Sequence, residues 1–184
     1  MPTLGWIVIG IAVAVVIAAS ALAALRTRRS RELRGRFGHE YDRVAADAPS
    51  RREAEAELRD RERRHDELDL RPLDRNDRER FRVRWEHVQA RFVDDPPGAV
   101  QDADGLIQEV MRARGYPVED FESRAADLSV DHGDVVENYR SAHGIAVAHA
   151  RGKAGTEELR HAIRQYRSLF SSLVEHADRQ EVKS

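Results

Sequence analysis

An uncharged run of 22 residues near the start of the chain, Leu4 to Leu25, is the feature that most constrains the fold. As a helix it would measure about 33 Å, which is enough to cross a hydrocarbon core of about 30 Å. The run is apolar on every helical face, which disfavours a helix buried in a soluble core. Trp6 lies near one end, where interfacial aromatic residues are common. The sequence therefore predicts a transmembrane helix over residues 4–25, preceded by a short tail of residues 1–3.

A strongly basic segment follows the apolar run and predicts its orientation. Residues 26–36 contain six arginines and one glutamate, a net charge of +5. Basic residues are concentrated at the cytoplasmic end of membrane helices, so we expect the rest of the chain in the cytoplasm. The same arginines could contact anionic lipid headgroups.

Two alternatives stay open for the N-terminal segment. A cleaved signal peptide would make the protein secreted, although its basic residues should precede a shorter apolar run rather than follow it. Gly10, Ala14 and Ala18 recur at every fourth position, which would allow a homodimer through the membrane helix. An anchor rich in alanine shows the same spacing by composition alone.

Residues 26–70 predict a connector between the anchor and a folded domain. Pro49 should interrupt any helix there. The highly charged stretch that follows has few apolar residues and contains Glu55–Arg59 and Glu57–Arg61 pairs in the favourable i,i+4 order. This pattern is typical of a solvated helix, and we expect a charged helical stalk.

Residues 71–177 predict a compact α-helical domain of about four main helices, so the fold class is all-α, and residues 178–184 predict a disordered tail. Asp74 and Asp95 are candidate N-caps, Pro96 suits a first helical turn, and Gly115 suits a helix end. Pro117 predicts the start of a short helix, and Asp131 is a candidate cap of the next long one. Apolar residues at helical spacing form the expected core: Phe81, Trp85, Val88 and Phe92; Val100, Ala103, Ile107, Val110 and Met111; Val135, Tyr139, Ala142 and Ala146; Leu159, Ile163, Tyr166, Phe170 and Leu173.

Four segments of this domain carry a resemblance. They read LRPLDRNDRERFRVRWEHVQARFVDDPPGAV, RGYPVEDFESRAADLSVDH, VVENYRSAH and TEELRHAIRQYRSLF. Together they resemble an uncharacterised family of small actinobacterial membrane or secreted proteins. The resemblance implies a bacterial, membrane-linked setting and no particular activity.

The strongest candidate for a chemical site is the cluster Asp131, His132 and Asp134, followed along the chain by Glu137, His143 and His149. A metal would need ligands at i,i+3 or i,i+4 spacing on a helix, and the six-residue step between the two later histidines does not provide it. Helix capping and first-turn placement also account for the acids. We therefore predict no metal or cofactor site.

Other sequence features also disfavour a catalytic or metal-binding site. The chain has no cysteine, which excludes disulfides and a thiol nucleophile. Asp102, Asp104 and Gly105 lack the remaining ligands of a calcium loop. No nucleophile or phosphate-loop motif is present.

The basic face formed by Arg75, Arg78 and Arg82 is interleaved with acids, and residues 37–184 carry a net charge of −7, which disfavours nucleic acid. We expect a membrane-anchored protein-interaction or scaffold module that binds the lipid bilayer and an unidentified protein partner. An enzyme or metal-binding domain that uses Asp131, His132 and Asp134 is the alternative.

Overall fold

The chain is all-helical over the residues that the structure describes. The computed structural model describes the backbone of residues 2–175 and the side chains of residues 16–175, except those of Ala19, Leu22 and Arg26. Eight helices and no strand occur in this range. In chain order they are α1 (Pro2–Phe37), α2 (His39–Asp47), α3 (Arg51–Asp66), α4 (Arg75–Arg91), α5 (Pro96–Arg114), α6 (Phe121–Asp131), α7 (Val136–Ala150) and α8 (Thr156–Glu175). The all-α prediction is confirmed.

Local signals in the sequence place the ends of α4 and α5. The Asp74 side chain accepts a hydrogen bond from the Asp77 amide at 2.7 Å, and Asp95 accepts one from the Gly98 amide at 3.0 Å. Gly115 ends α5 in the left-handed region, with φ of 92°. A Cβ at Gly115 would lie 2.3 Å from the Asp69 carbonyl oxygen, so both the backbone conformation and the close approach require glycine.

Two predicted helix starts are wrong. The helix expected from Pro117 begins only at Phe121, because Asp120 is the N-cap and accepts a hydrogen bond from the Ser123 amide at 3.0 Å. Asp131 does not cap α7, because it is the last residue of α6. Val135 takes the N-cap position of α7 and makes no side-chain hydrogen bond there.

The main core lies between α4, α5, α7 and α8, with α6 closing one side. The predicted apolar stripes are buried there, apart from Phe92, Val135 and Ala146, which are partly buried at its edge. The Trp85 ring stacks on that of Phe170, with centroids 4.7 Å apart. Helical periodicity therefore identified most of this core correctly.

A second, smaller core joins the N-terminal helices to α6. Its buried apolar residues come from the end of α1, from α2, α3 and α6: Leu33, Phe37, Tyr41, Val44, Ala54, Leu58 and Val130. Gly133, just after α6, lies against the end of α1, where an added Cβ would be 2.7 Å from the Arg36 carbonyl oxygen. Segment 26–70 is thus helical as expected, but it packs on the domain instead of forming a solvated stalk.

The described residues contain no helix that is both long enough and apolar enough to cross a membrane. The span predicted at 4–25 falls largely on side chains outside the described residues, as do Gly10 and Ala14 of the small-residue pattern. The tail predicted at 178–184 also lies outside them. These three expectations remain predictions.

Candidate functional site

The Asp131–His132–Asp134 cluster is divided between different surroundings in the fold. His132 is 1% exposed, and its Nδ1 lies 2.8 Å from the Ser172 hydroxyl. Its Nε2 lies 3.4 Å from Nη1 of Arg114, which also donates to the Leu173 carbonyl oxygen at 3.2 Å. Both ring nitrogens therefore have partners inside the protein, and the imidazole has no open side for a substrate or a metal.

Asp131 has other partners than His132 and is held by residues from α3 and the segment after α5. Its Oδ2 lies 2.9 Å from Nε2 of the nearly buried His65 and accepts a hydrogen bond from the Tyr116 hydroxyl at 3.2 Å. Asp134 is exposed. The structure thus brings His65 and Tyr116 to Asp131 without bringing Asp134 to the same point.

The electrostatics of Asp131 predict a pH effect on stability. Burial alone would raise the pKa of Asp131, but the His65 imidazole, with smaller contributions from His132 and Tyr116, lowers it below its ordinary value. A carboxylate with a lowered folded-state pKa stabilises the fold above its unfolded pKa, and this stabilisation is lost as the pH falls through the folded value. We expect wild type to be more stable than Asp131→Asn at neutral pH, and the difference to shrink below about pH 4.

Chemical unfolding followed by circular dichroism, repeated at each pH unit from about pH 7 to about pH 3, measures this difference. Asp134→Asn is the matched control, because it removes the same charge from an exposed site three residues further on. A constant gap between wild type and Asp131→Asn over the whole range would contradict the prediction.

The two histidines of α7 do not converge with this cluster. His143 stacks on Phe121, with ring centroids 3.7 Å apart, and burial lowers its pKa. Nδ1 of His149 lies 2.8 Å from the Ala154 carbonyl oxygen at the far end of the helix. Within the described part of the chain, no group of three or more histidine, aspartate or glutamate side chains could hold a metal ion.

The remaining candidates belong to helix surfaces. Asp102 pairs with Arg91 at 2.6 Å, while Asp104 accepts hydrogen bonds from Gln108 at 2.7 Å and from the Tyr166 hydroxyl at 3.3 Å. The prediction that this segment is helix surface and not a calcium loop agrees with its place within α5. On the basic face of α4, Arg82 lies 4.0 Å from Glu79.

A buried carboxylate that sequence analysis did not single out connects three helices of the fold. The Glu40 side chain is 0% exposed and binds two arginines that are each 9% exposed. Arg61 of α3 donates to Oε1 at 2.8 Å, and Arg140 of α7 donates to Oε1 at 3.0 Å and to Oε2 at 3.2 Å. Glu40 therefore joins α2, α3 and α7.

Each arginine of this group also has a second carboxylate. Arg61 pairs with Glu57, and Arg140 pairs with Glu122 at 2.5 Å. Burial alone would lower the pKa of Arg140, but hydrogen bonds to Glu122 and Glu40 raise it above its ordinary value. The only signal for this group in the sequence is an acid beside the apolar residues of α2, and its partner Arg140 is 100 residues away.

A cleft of about 580 Å³ opens beside these ion pairs, between α3 and α6. Three arginines and four carboxylates line it: Arg61, Arg64 and Arg140, with Glu57, Glu119, Glu122 and Asp127. Burial raises the pKa of Asp127. The formal charges of the lining nearly cancel.

Comparison of the chain with protein-family models, with curated proteins and with solved structures found no match. The resemblance to small actinobacterial membrane or secreted proteins therefore remains a prediction. Evidence on function comes from the geometry of the chain itself.

Proposed function

We propose that this is a single-pass membrane protein, anchored by residues 4–25, whose helical domain is a protein-interaction module in the cytoplasm. The supporting observation is that most of the exposed large apolar side chains lie on α1. Val16, Ile17 and Leu25 on α1 are 63%, 63% and 50% exposed, although the rest of the described surface has only two large apolar residues in this state, Val83 and Val93. Exposed large apolar side chains on one helix need a cover, and the acyl chains of a bilayer provide one.

The continuity of α1 supports a rigid form of this anchor. The helix runs without interruption from Pro2 to Phe37, and its last turns bury Leu33 and Phe37 in the second core. The domain would therefore be held at the membrane surface by packing and not by a flexible linker. The basic residues after Leu25 favour a cytoplasmic domain.

A protein-interaction role is favoured over an enzymatic one because the polar side chains that could act in catalysis are bound to other residues or lie apart. His132 and Asp131 are bound by other residues of the fold, and Asp134 stands apart from them. In contrast, the outer face of α8 presents exposed polar side chains, including His161, Arg164 and Arg167. A partner that binds by shape and charge needs no convergent catalytic groups.

Reporter fusions and fractionation of the full chain test the anchor. We expect the full chain to stay in the membrane fraction during carbonate extraction. Alkaline phosphatase fused after Ser184 should be inactive, and a cytoplasmic reporter fused at the same position should be fluorescent. The same fusions lacking residues 1–25 should leave the membrane fraction. A mature chain that begins near residue 24 with an active phosphatase would instead indicate secretion.

A photo-crosslinking residue placed at His161 or Arg164 in the same cells tests the interaction role. We expect a discrete adduct with one protein at these positions. Crosslinker at Arg63, whose side chain is 75% exposed on α3, is the control for random collision. The same adduct pattern from all three positions, or none from any, would contradict a specific binding surface on α8.

A further inference from the structure

An arginine-lined cleft opens between α1 and α3, close to the end of the proposed anchor. It encloses about 600 Å³ and is open to solvent on one side. Four arginines line it: Arg29 of α1, and Arg51, Arg52 and Arg59 of α3. Glu55 is its one acidic lining residue, so the lining carries a net charge of +3.

Glu55 lies at the base of this cleft and organises it. Its Oε1 accepts hydrogen bonds from the Ser30 hydroxyl at 2.5 Å and the Tyr41 hydroxyl at 3.0 Å. Arg51 donates to the same oxygen at 3.3 Å, and Arg59 donates to Oε2 at 3.3 Å. Burial alone would raise the pKa of Glu55, but the bonds from Ser30, Tyr41 and Arg51 lower it, so the carboxylate stays charged.

The arginines keep most of their donors available. A guanidinium has five N–H donors in a planar fork, and Arg51 directs its Nε to Tyr41 and Glu55, while Arg59 uses Nη2. Arg29 and Arg52 are exposed and form no ion pair with any residue that the structure describes. Four guanidiniums around one partly neutralised cleft suit an anion with several oxygens, above all a phosphate.

The distance of the cleft from the end of the proposed anchor matches the expected position of lipid headgroups. Arg29 follows Leu25 by four residues, or about 6 Å along the helix. Each headgroup layer outside the hydrocarbon core is about 5–8 Å thick. Arg51 and Arg52 also form the first turn of α3, so the positive end of that helix dipole lies at the same place.

We infer that this cleft binds the phosphate of an anionic phospholipid headgroup at the cytoplasmic surface of the membrane. The inference rests on the proposed anchor, and it goes further than general attraction between basic residues and an acidic membrane. It requires one lipid held between α1 and α3, with contacts from Arg29 and Arg52 added to those that Glu55 positions.

Native mass spectrometry of the full chain tests this directly. The protein is reconstituted in vesicles of phosphatidylcholine and phosphatidylglycerol in equal parts, then extracted in mild detergent, and the retained lipids are identified. We expect a retained phosphatidylglycerol on the wild type and about tenfold less on Arg29→Gln/Arg52→Gln, because two charge-assisted contacts are removed. Arg164→Gln/Arg167→Gln is the matched control, since it removes two exposed charges from α8 and should retain lipid like wild type.

Separate outcomes distinguish the possible failures. Equal retention by both double variants and wild type would overturn the headgroup site. Displacement of the lipid by inorganic phosphate at equal concentration would assign the cleft to free phosphate and would also overturn it. Carbonate-resistant membrane association of the wild type reports the anchor alone. Its absence would overturn the proposed function and with it the inference, whereas equal lipid retention with the anchor intact would overturn the headgroup site alone.

Discussion

Replacement of Glu40 by alanine is expected to lower the free energy of unfolding by about 3 kcal/mol. The side chain is fully buried, and its removal leaves Arg61 and Arg140 without the carboxylate that they share. Removal of one partner of a buried ion pair is costly because the remaining charge keeps its desolvation penalty. We expect a value near the lower end of the known range because Glu57 and Glu122 still pair with the two arginines.

Chemical unfolding of the full chain in detergent micelles, followed by circular dichroism, measures this loss. Glu40→Gln should be intermediate, because an amide oxygen can still accept hydrogen bonds from the arginines. Asp42→Ala is the matched control on the same helix, since its pair with Arg34 is exposed on both sides and should contribute little. Similar stabilities for Glu40→Ala and Asp42→Ala would show that the buried network does not stabilise the fold.

Replacement of Trp85 by alanine should cost about 3–5 kcal/mol, the range for large aromatic residues in a core. The indole is 5% exposed and stacks on Phe170 at an interplanar angle of 17°. Alanine would leave a cavity between α4 and α8 and would remove the ring contact. The same unfolding measurement detects the loss.

Trp85→Phe separates the packing of the ring from its polar atom. The indole Nε1 is buried and has no acceptor among the described residues, so phenylalanine removes a polar group with no hydrogen bond and should cost much less than alanine. Val93→Ala is a control for loss of an apolar side chain from the surface. An effect of Trp85→Ala no larger than that of Val93→Ala would exclude this residue from the core.

The parts of the fold that sequence analysis identified correctly depend on local signals. The caps at Asp74 and Asp95 act within three residues, and the stripe from Leu159 to Leu173 repeats at helical spacing on a single helix. Such features are visible in a short window because their physical cause lies in that window. The same holds for Gly115, which ends α5 by its own backbone conformation.

The features that could not be predicted depend on contacts between distant segments. Helix α3 has too few apolar residues to indicate burial, yet Ala54 and Leu58 are covered by residues of α1 and α6. The partners of Asp131 and His132 come from α3, from α8 and from the end of α5 and the segment after it, so spacing around position 131 could not reveal that both are engaged. Asp131 failed as a cap because α6 continues to that residue, which burial of Leu128 and Val130 favours.

The unbroken path of α1 from the proposed anchor into the second core has a geometric consequence. A helix turns by about 100° for each residue. With residues 4–25 as the anchor, the number of residues between Leu25 and Leu33 would therefore set the rotational orientation of the domain about the membrane normal. One residue more or fewer in that interval would rotate the α1–α3 cleft and the outer face of α8 by about 100° around the anchor. Loss or gain of four residues would return the orientation to within about 40° and change the height by about 6 Å. Under the proposed anchor, the length of the arginine-rich stretch after Leu25 would therefore set the orientation of the domain, in addition to the charge that this stretch places beside the membrane.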